Sequence, residues 1–307
     1  MTAKTQKILV TGAAGYIADQ VLPTFRAEYD LLLVDVSREN RRGERVEGAE
    51  IADLIDSDRT GYAKYFDGVD AVVHLGYKRR TGEHLDHFFD EMQNVQMAYN
   101  VLRSAYDAGV PRVVMASSNH AADWYEHDLV HRRKMEVLDP FALPLSDNFY
   151  GWAKAAYEHM GFLFACGALG FQTSSGKEIH VSGLAGGRKM GVVNVRIGAP
   201  REPDPAKYDG DPASYKRELG AYISPRDLTQ LFVRTIEAPD IENEHGVPWQ
   251  VVYGISDNTR AFWSLNNARQ VLGYRPEDDS EVKFAADIQR FLMGENAAGA
   301  AGRVGPA

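Results

Sequence analysis

The chain has 307 residues, 44% of them hydrophobic and 25% charged, which is the composition of a globular protein with a sizeable core. Its net charge of −9 argues against nucleic acid as a partner, because that role would need a local basic patch. The single cysteine, Cys166, excludes an internal disulfide. We see neither a long apolar run nor a signal-peptide pattern, so we expect a cytoplasmic protein with no membrane partner.

The first half of the chain alternates short apolar runs with amphipathic stretches, which is typical of a parallel sheet covered by helices. The predicted strands are 8–10, 31–34, 71–75, 112–116, 192–196 and 249–254. The predicted helices are 16–26, 62–66, 85–108, 148–168, 224–237 and 266–272. This order predicts an α/β fold with a doubly wound parallel (Rossmann) sheet. We expect a dinucleotide-binding domain over residues 1–198 and a small, interleaved substrate-binding lobe over residues 199–293.

Three stretches lack this regular alternation. Residues 170–191 are rich in Gly and Ser and are interpreted as a surface hairpin. Residues 200–220 carry four prolines and many charges, which predicts a loop over the mouth of an active site. The Gly/Ala-rich tail from residue 294 is predicted to be disordered.

A glycine-containing loop joins the first predicted strand to the first predicted helix. Gly12 and Gly15 let the backbone turn tightly and approach a pyrophosphate, and the helix directs its free N–H groups and positive dipole end at the phosphates. Ala18 replaces the third glycine of the usual fingerprint and still permits close helix–strand packing. The strand before the loop, the helix after it and an acidic residue at the end of the second strand together predict a dinucleotide site. The predicted cofactor contacts in this loop are Gly12, Ala14, Gly15, Tyr16 and Ile17.

The acidic residue is Asp35, which closes the second predicted strand. A carboxylate there accepts hydrogen bonds from both ribose hydroxyls and repels a 2′-phosphate, so NAD is favoured over NADP. A loop carboxylate or helix cap is the alternative role for Asp35. Three nearby arginines keep NADP open: Arg38, Arg41 and Arg42.

Tyr150 and Lys154 are four residues apart and therefore share one face of a predicted helix. Tyrosine, with a pKa of about 10, is a poor base at neutral pH, but a nearby ammonium and a positive nicotinamide both favour its phenolate. Ser118, at the end of the fourth predicted strand, is suited to hydrogen-bond the reacting oxygen. The set predicts Tyr150 as catalytic base with Lys154 and Ser118 assisting, whereas the Tyr/Lys pair alone also fits a surface helix.

Over residues 5–275 the chain resembles the extended short-chain dehydrogenases of the epimerase/dehydratase superfamily. The resemblance is carried by residues 11–17, Asp35, Asp53-Leu54, His74-Leu75-Gly76, Asn94, Ser117-Ser118 and Tyr150/Lys154. It implies that Asp53 and Leu54 lie beside the adenine, that Leu75 and Gly76 line the cofactor, and that Asn94 supports the active-site helix. An exposed polar position on a helix is the alternative for Asn94. A homodimer through helices 85–108 and 148–168 is also implied.

Within that superfamily, residues 117–120 and 196–198 are similar to the uronate dehydrogenases and related aldose 1-dehydrogenases. The similarity implies substrate contacts from Ser118, Asn119 and His120, and from Arg217 to a substrate carboxylate. Loop-ordering hydrogen bonds are the alternative for Asn119 and His120, and a surface salt bridge for Arg217.

The chain departs from that subfamily after Gly76. Where a substrate-contacting serine is expected, it reads Tyr77-Lys78-Arg79-Arg80. We therefore include Arg79 among the substrate candidates. The change fits a larger or more anionic sugar than a uronate, such as a phosphorylated or nucleotide-linked one.

The predicted function is NAD-dependent oxidation of a sugar or sugar-acid hydroxyl at C1, giving a lactone, with Tyr150 as base. The first alternative is a nucleotide-sugar epimerase or dehydratase that retains its NAD; the second is a non-catalytic dinucleotide sensor. The pairs His84/His87 and His127/His131 have spacings that a metal site uses, but neither has a convincing third ligand. We predict no metal and interpret these histidines as surface residues.

Overall fold

The computed structural model describes residues 6–82, 85–167, 169 and 187–292. Within these residues, seven strands form one parallel sheet in the order β3-β2-β1-β4-β5-β6-β7. The strands are β1 (Lys7–Thr11), β2 (Asp30–Asp35), β3 (Ala49–Ile51), β4 (Ala71–His74), β5 (Arg112–Ser118), β6 (Gly191–Ile197) and β7 (Trp249–Gly254). The chain starts in the middle of the sheet and winds outward in both directions, which confirms the predicted doubly wound α/β fold. In such sheets ligands bind at the carboxyl edge where the winding reverses, here between β1 and β4.

The described helices are α1 (Tyr16–Glu28), α2 (Phe88–Asp107), α3 (Phe149–Ala165), α4 (Pro212–Ala221), α5 (Pro225–Glu237), α6 (Asn266–Leu272), α7 (Ser280–Lys283) and α8 (Ala285–Leu292). Successive strand residues point to opposite faces of the sheet, so the strands feed two hydrophobic clusters. Ile8 packs in one cluster with Phe25 of α1 and Phe232 of α5. Leu9 packs in the other with Val101 of α2 and Phe164 of α3. No helix in the described ranges is both long and apolar enough to cross a bilayer.

All six predicted strands are confirmed, and four of them are two residues longer than predicted. Strand β3 is missed because it has only three residues and leaves Glu50 and Ile51 exposed at the sheet edge. The predicted helix 62–66 is a short 3₁₀ helix, Ala63–Phe66, and the predicted helix 85–108 begins only at Phe88.

The prediction of a plain loop over residues 200–220 is wrong. This stretch contains a 3₁₀ helix, Pro205–Tyr208, and most of α4. In both cases the proline occupies the start of the helix, where its missing N–H costs nothing. Asp204 and Asp211 precede the prolines and cap the helices by accepting hydrogen bonds from Ala206 N and Ser214 N. The prolines therefore begin helices here.

Residues 199–292 contribute to two separate hydrophobic clusters. Strand β7 and helix α5 complete the main sheet and its cover, whereas Tyr215 and Leu219 of α4 form a separate cluster with Phe284 and Ile288. The division at residues 198/199 stays a prediction. The predicted hairpin at 170–191 falls mainly, and the predicted tail from 294 wholly, outside the described residues.

Candidate active site

A cleft of about 900 Å³ runs along the carboxyl edge of the sheet, with Asp35 lining one end and Tyr150 the other. Most of the candidate residues line it: Gly12, Ala14, Gly15, Tyr16, Ile17, Asp35, Asp53, Leu54, Leu75, Gly76, Arg79, Ser118, His120, Tyr150 and Lys154. Three candidates lie outside it: Asn94, Asn119 and Arg217. The structure thus brings together the cofactor candidates from five separate parts of the chain.

The loop after β1 has the shape that a pyrophosphate site requires. Gly12 has a φ of +73°, and a Cβ built on it would lie 2.5 Å from the backbone nitrogen of Gly76. Any side chain there would therefore clash with the loop after β4 as well as strain the backbone. Helix α1 begins at Tyr16, and its cap residue, Gly15, offers no side-chain acceptor to the first-turn N–H groups. Those N–H groups and the helix dipole can serve an anionic ligand.

Asp35 is held at the end of β2 by the glycine loop. Its Oδ2 accepts a hydrogen bond from Ala14 N at 2.8 Å, and its Oδ1 accepts one from Ser37 N at 3.2 Å. Each oxygen retains acceptor capacity for a ribose hydroxyl. The residues of this end of the cleft therefore fit an adenine nucleotide.

Two of the three arginines that kept NADP open are already paired with carboxylates. Arg38 contacts Glu50 at 3.2 Å, and Arg42 contacts Glu44 at 2.8 Å. The third, Arg41, lies over the ring of Tyr16 at 5.4 Å and lines the cleft. The balance of charge at this end therefore favours a ribose without a 2′-phosphate.

We expect Asp35→Asn to weaken NAD binding by about 10- to 100-fold, because the ribose hydroxyls would lose their hydrogen bonds to a charged acceptor. We also expect the ratio of the Kd for NADP to the Kd for NAD to fall, since the charge that repels a 2′-phosphate is removed. Titration calorimetry with both cofactors measures the two Kd values. Glu39→Gln is the matched control, since it removes a carboxylate from the same cleft without a bond to the glycine loop. If Asp35→Asn had the same ratio of the Kd for NADP to the Kd for NAD as the wild type, this carboxylate would not be what selects NAD.

Tyr150 reaches Ser118 because α3 begins directly against the end of β5. A Cβ built on Gly151 would lie 1.9 Å from the carbonyl oxygen of His120, so only glycine lets the helix start this close. Asn148 caps the helix by accepting a hydrogen bond from Gly151 N at 2.9 Å. Lys154 follows one turn later, with its Nζ 5.5 Å from the ring centroid of Tyr150 and donating to Ala116 O at 2.9 Å.

Burial shifts the pKa values of both Tyr150 and Lys154. Burial raises the pKa of Tyr150, although a hydrogen bond with Ser118 lowers it. Burial also lowers the pKa of Lys154 to about 8, against the attraction of Glu91 and Glu158. The lysine alone therefore leaves the phenol protonated near neutral pH. A positive nicotinamide at the same site would favour the phenolate.

A buried ion pair holds α3 against the sheet, and its acidic member, Glu158, is not among the residues predicted from the sequence. Arg196 of β6 contacts both carboxylate oxygens of Glu158, through Nε at 2.9 Å and Nη2 at 2.7 Å. Ser117 donates its hydroxyl to the same carboxylate at 2.5 Å, and Arg196 also bonds the hydroxyl of Tyr253 on β7. The sequence spacing could have predicted a buried glutamate here, because Glu158 follows Lys154 by four residues and therefore lies on the same face of α3.

Arg217 forms an ion pair with the buried carboxylate of Glu126, while its own side chain is 19% exposed, so the salt bridge considered from the sequence is present and lies partly below the surface. Its Nε donates to Glu126 Oε1 at 2.7 Å and its Nη2 to Oε2 at 3.1 Å. His131 contacts the same carboxylate at 3.1 Å. Burial raises the pKa of Glu126, but the hydrogen bonds from His131 and Arg217 prevail and lower it to about 2. The charge of Arg217 is therefore balanced within the chain, and its role toward a substrate carboxylate stays a prediction.

Asn119 lies beside this pair. In the amide orientation that satisfies both its polar atoms, its oxygen accepts from Arg217 Nη2 at 2.7 Å and its nitrogen donates to Ile197 O at 3.1 Å. These are loop-ordering bonds, the alternative considered for this residue. His120 instead lines the cleft and contacts Asp123 at 2.7 Å.

Asn94 is buried, so its interpretation as an exposed helical residue is wrong. Its side chain accepts from Lys78 N at 2.8 Å and donates to Lys78 O at 3.0 Å, which holds the loop after β4. In the same loop, Tyr77 donates its hydroxyl to Glu91 at 2.7 Å and packs edge-on against Tyr150, with ring centroids 5.4 Å apart. The loop after β4 thus places a tyrosine against Tyr150.

The surface interpretation of the histidines is wrong for two of them, and His84 lies outside the described residues. His87 and His131 have side chains only 7% and 6% exposed. Each packs beside a buried glutamate, Glu91 for His87 and Glu126 for His131, which a sequence pattern does not reveal. Within the described ranges, no group of three or more acidic, histidine or cysteine residues could hold a metal ion.

Comparisons with known proteins agree with this geometry. The model of the family described as the NAD dependent epimerase/dehydratase family matches residues 8–188, more than half of the chain. The chain is 32% identical over 284 residues to an NAD-dependent glucose-6-phosphate dehydrogenase of Haloferax volcanii, covering 90% of this chain and 94% of that protein. It is 28% identical over 290 residues to a uronate dehydrogenase of Pseudomonas syringae pv. tomato, covering 94% of this chain and 87% of that protein.

A solved structure has the same fold. The crystal structure of uronate dehydrogenase from Agrobacterium tumefaciens superimposes with a TM-score of 0.67 at 24% sequence identity. The match covers 92% of this chain and 88% of that chain. At this identity the similarity concerns the fold, and it confirms the predicted architecture.

Proposed function

The chain belongs to the NAD dependent epimerase/dehydratase family, and from that premise we propose that it is an NAD-dependent dehydrogenase of sugars or sugar acids. The reaction oxidises a sugar hydroxyl, at C1, to a lactone. The observation that carries the proposal is the meeting of Tyr150, Ser118 and Lys154 at one end of a cleft whose other end fits an adenine nucleotide. The names of its relatives, dehydrogenases of glucose 6-phosphate, uronate and L-arabinose, support the same reaction type.

Each of the three residues has a separate task. The Tyr150 phenolate accepts the proton of the substrate hydroxyl while the C–H bond of the same carbon breaks, leaving a C=O bond. Ser118 donates a hydrogen bond to the reacting oxygen and keeps it in reach of the phenol. Lys154, as ammonium, favours the phenolate and is positioned to bond the ribose. NAD, when bound, supplies the acceptor for the hydride.

The loop after β4 adds positive charge to the cleft. Arg79 lines it, and Arg80 lines an adjoining cavity. This supports a sugar that carries an anionic group, as in glucose 6-phosphate or a uronate. We also propose a cytoplasmic homodimer formed through α2 and α3, supported by apolar side chains exposed on and beside these helices: Leu85, Phe89, Trp152 and Leu163.

The proposal is tested by NADH formation from a panel of aldoses, aldose phosphates and uronates. We expect at least one of them to give stoichiometric NADH and an aldonolactone. The epimerase alternative makes the opposite prediction: tightly bound NAD in the purified protein, no net NADH, and conversion of a nucleotide sugar to its epimer. A protein that binds NAD but converts none of these substrates would overturn the proposal.

A further inference from the structure

The ammonium of Lys154 lies among three tyrosine rings, which we call the tyrosine cage. Its Nζ lies over the ring of Tyr77 at 5.3 Å from the centroid, over that of Tyr150 at 5.5 Å and over that of Tyr157 at 5.0 Å. Lys154 itself is only 5% exposed. A cation within about 6 Å of an aromatic ring is attracted by the face of that ring, most strongly where water is excluded.

Few oxygen atoms are available to this ammonium. Among the described residues, its one hydrogen bond is the donation to Ala116 O at 2.9 Å, although an ammonium has three donors. The two carboxylates that attract it are bound to other groups: Glu91 accepts from Tyr77 at 2.7 Å, and Glu158 accepts from Arg196 at 2.7 Å. A buried charge needs more than one such partner, so the neighbouring ring faces are the remaining source of stabilisation.

Hydrogen bonds fix two of the three rings. Tyr77 donates its hydroxyl to Glu91, and Tyr157 donates its hydroxyl to Ala116 O at 3.0 Å. Each hydroxyl is thus directed to its own acceptor, and the ammonium meets the face of the ring. The Glu91 carboxylate also polarises the phenol of Tyr77 and makes its ring more electron-rich, which strengthens the attraction for a cation.

The titratable groups around Lys154 come from α2, α3, β4 and the loop after β4. Burial raises the pKa of every tyrosine in the cage, so the rings stay neutral phenols where a lysine titrates. On β4, His74 is also neutral, because burial lowers its pKa to about 3. Burial lowers the pKa of Lys154 to about 8, and Glu91 of α2 and Glu158 of α3 oppose this effect. The ring faces act in the same direction as these two carboxylates.

We propose that the tyrosine cage keeps Lys154 protonated in its buried position, and that Tyr77 and Tyr157 are positioning residues for the reaction. The rings stabilise the charge without accepting its hydrogen bonds, so its remaining N–H groups stay available to the cofactor. The ammonium in turn favours the Tyr150 phenolate. The proposal rests on the proposed function and extends it to two tyrosines that are not among the predicted site residues.

The test replaces the ring of the cage that reaches the surface. Tyr77 is 37% exposed, so Tyr77→Leu should fold. The titration of Lys154 is followed by NMR in the full-length protein labelled with ¹³C at the lysine Cε, and Lys154→Met identifies its signal. We expect the midpoint to fall by about one pH unit in Tyr77→Leu, the equivalent of about 1.4 kcal/mol of lost attraction to the ring.

Two further variants separate the ring from its hydroxyl and from general effects. Tyr77→Phe keeps the ring and loses the bond to Glu91, so the midpoint should stay close to that of the wild type. Tyr65→Leu removes another tyrosine ring that faces a lysine, Lys64 at 5.0 Å, and should leave the Lys154 signal unchanged. A Lys154 midpoint that is unaffected by Tyr77→Leu, or lowered equally by Tyr77→Phe, would overturn the proposal.

The pH dependence of turnover connects the cage to catalysis. Between the two midpoints the wild type retains its ammonium, whereas Tyr77→Leu has lost most of it. The ratio of kcat/KM for Tyr77→Leu to kcat/KM for the wild type should therefore fall by up to about tenfold as the pH rises through this range. A ratio that is the same at every pH would indicate a structural role and overturn the assignment of Tyr77 as a positioning residue.

The two measurements also separate this proposal from the proposed function. If no sugar yields NADH, yet the Lys154 midpoint falls in Tyr77→Leu and is kept in Tyr77→Phe, the cage stands and the dehydrogenase function fails. NADH formation with a Lys154 midpoint that Tyr77→Leu does not change has the opposite meaning: the function stands and the cage is refuted.

Discussion

Tyr150→Phe is expected to reduce kcat for sugar oxidation by about 100- to 10,000-fold, the usual contribution of a general base. The substitution removes one oxygen from a helix that Asn148, Gly151 and the Arg196–Glu158 pair already hold in place, so the fold should be retained. Steady-state NADH formation measures the loss, and calorimetric titration with NAD should show a Kd close to that of wild type.

The pH dependence provides an independent readout of the same residue. Because burial raises the pKa of Tyr150, the phenol must lose its proton against that tendency, and oxidation by the wild type should become faster as the pH rises. The residual activity of Tyr150→Phe should lack this increase. Tyr99→Phe, at an exposed tyrosine of α2, is the matched control and should behave as wild type. Retention of the wild-type rate of NADH formation by Tyr150→Phe would refute the role of Tyr150 as catalytic base.

Arg196→Met is expected to have the largest effect on stability, a loss of about 3–5 kcal/mol in the free energy of unfolding. The Glu158 carboxylate, which is 2% exposed, would keep its bond from Ser117 but lose its only ionic partner among the described residues. Leaving a buried charge without its partner is more costly than removing the whole pair. Urea denaturation, followed by fluorescence, measures the change in unfolding midpoint.

The double variant Arg196→Met/Glu158→Leu should recover much of this loss, because no charge then remains buried. Arg38→Met is the control for an exposed pair: its contact with Glu50 has both side chains about half exposed, and we expect a change below about 1 kcal/mol. If the double variant were as unstable as the sum of the single changes, packing around Arg196 rather than charge would explain its effect.

Much of the site follows from local patterns along the chain. The strand–Gly12–Gly15–helix order, the acidic end of β2 and the four-residue spacing of Tyr150 and Lys154 each lie within one short continuous segment of the chain. The geometry of each motif depends on residues that are close in sequence. Spacing alone therefore predicts the parallel sheet, the direction of α1 toward the glycine loop, and the placement of Tyr150 and Lys154 on one face of α3. The same reasoning fails for β3 and for the helices started by Pro205 and Pro212, where short elements give weak patterns.

The parts of the site that the sequence did not predict depend on ion pairs between residues far apart in the chain. Glu158 meets Arg196 across 38 positions, and Glu126 meets Arg217 across 91. Hydrophobic periodicity carries no information about which buried charges become partners, since that depends on how helices and strands pack. The amino-acid pattern was sufficient to predict a dinucleotide cleft and to propose a tyrosine base at its end, because each motif is local. The pairing of Arg217 with Glu126 and the burial of His87 beside Glu91 required the folded chain, because they depend on the solvent exclusion and partner geometry that packing creates.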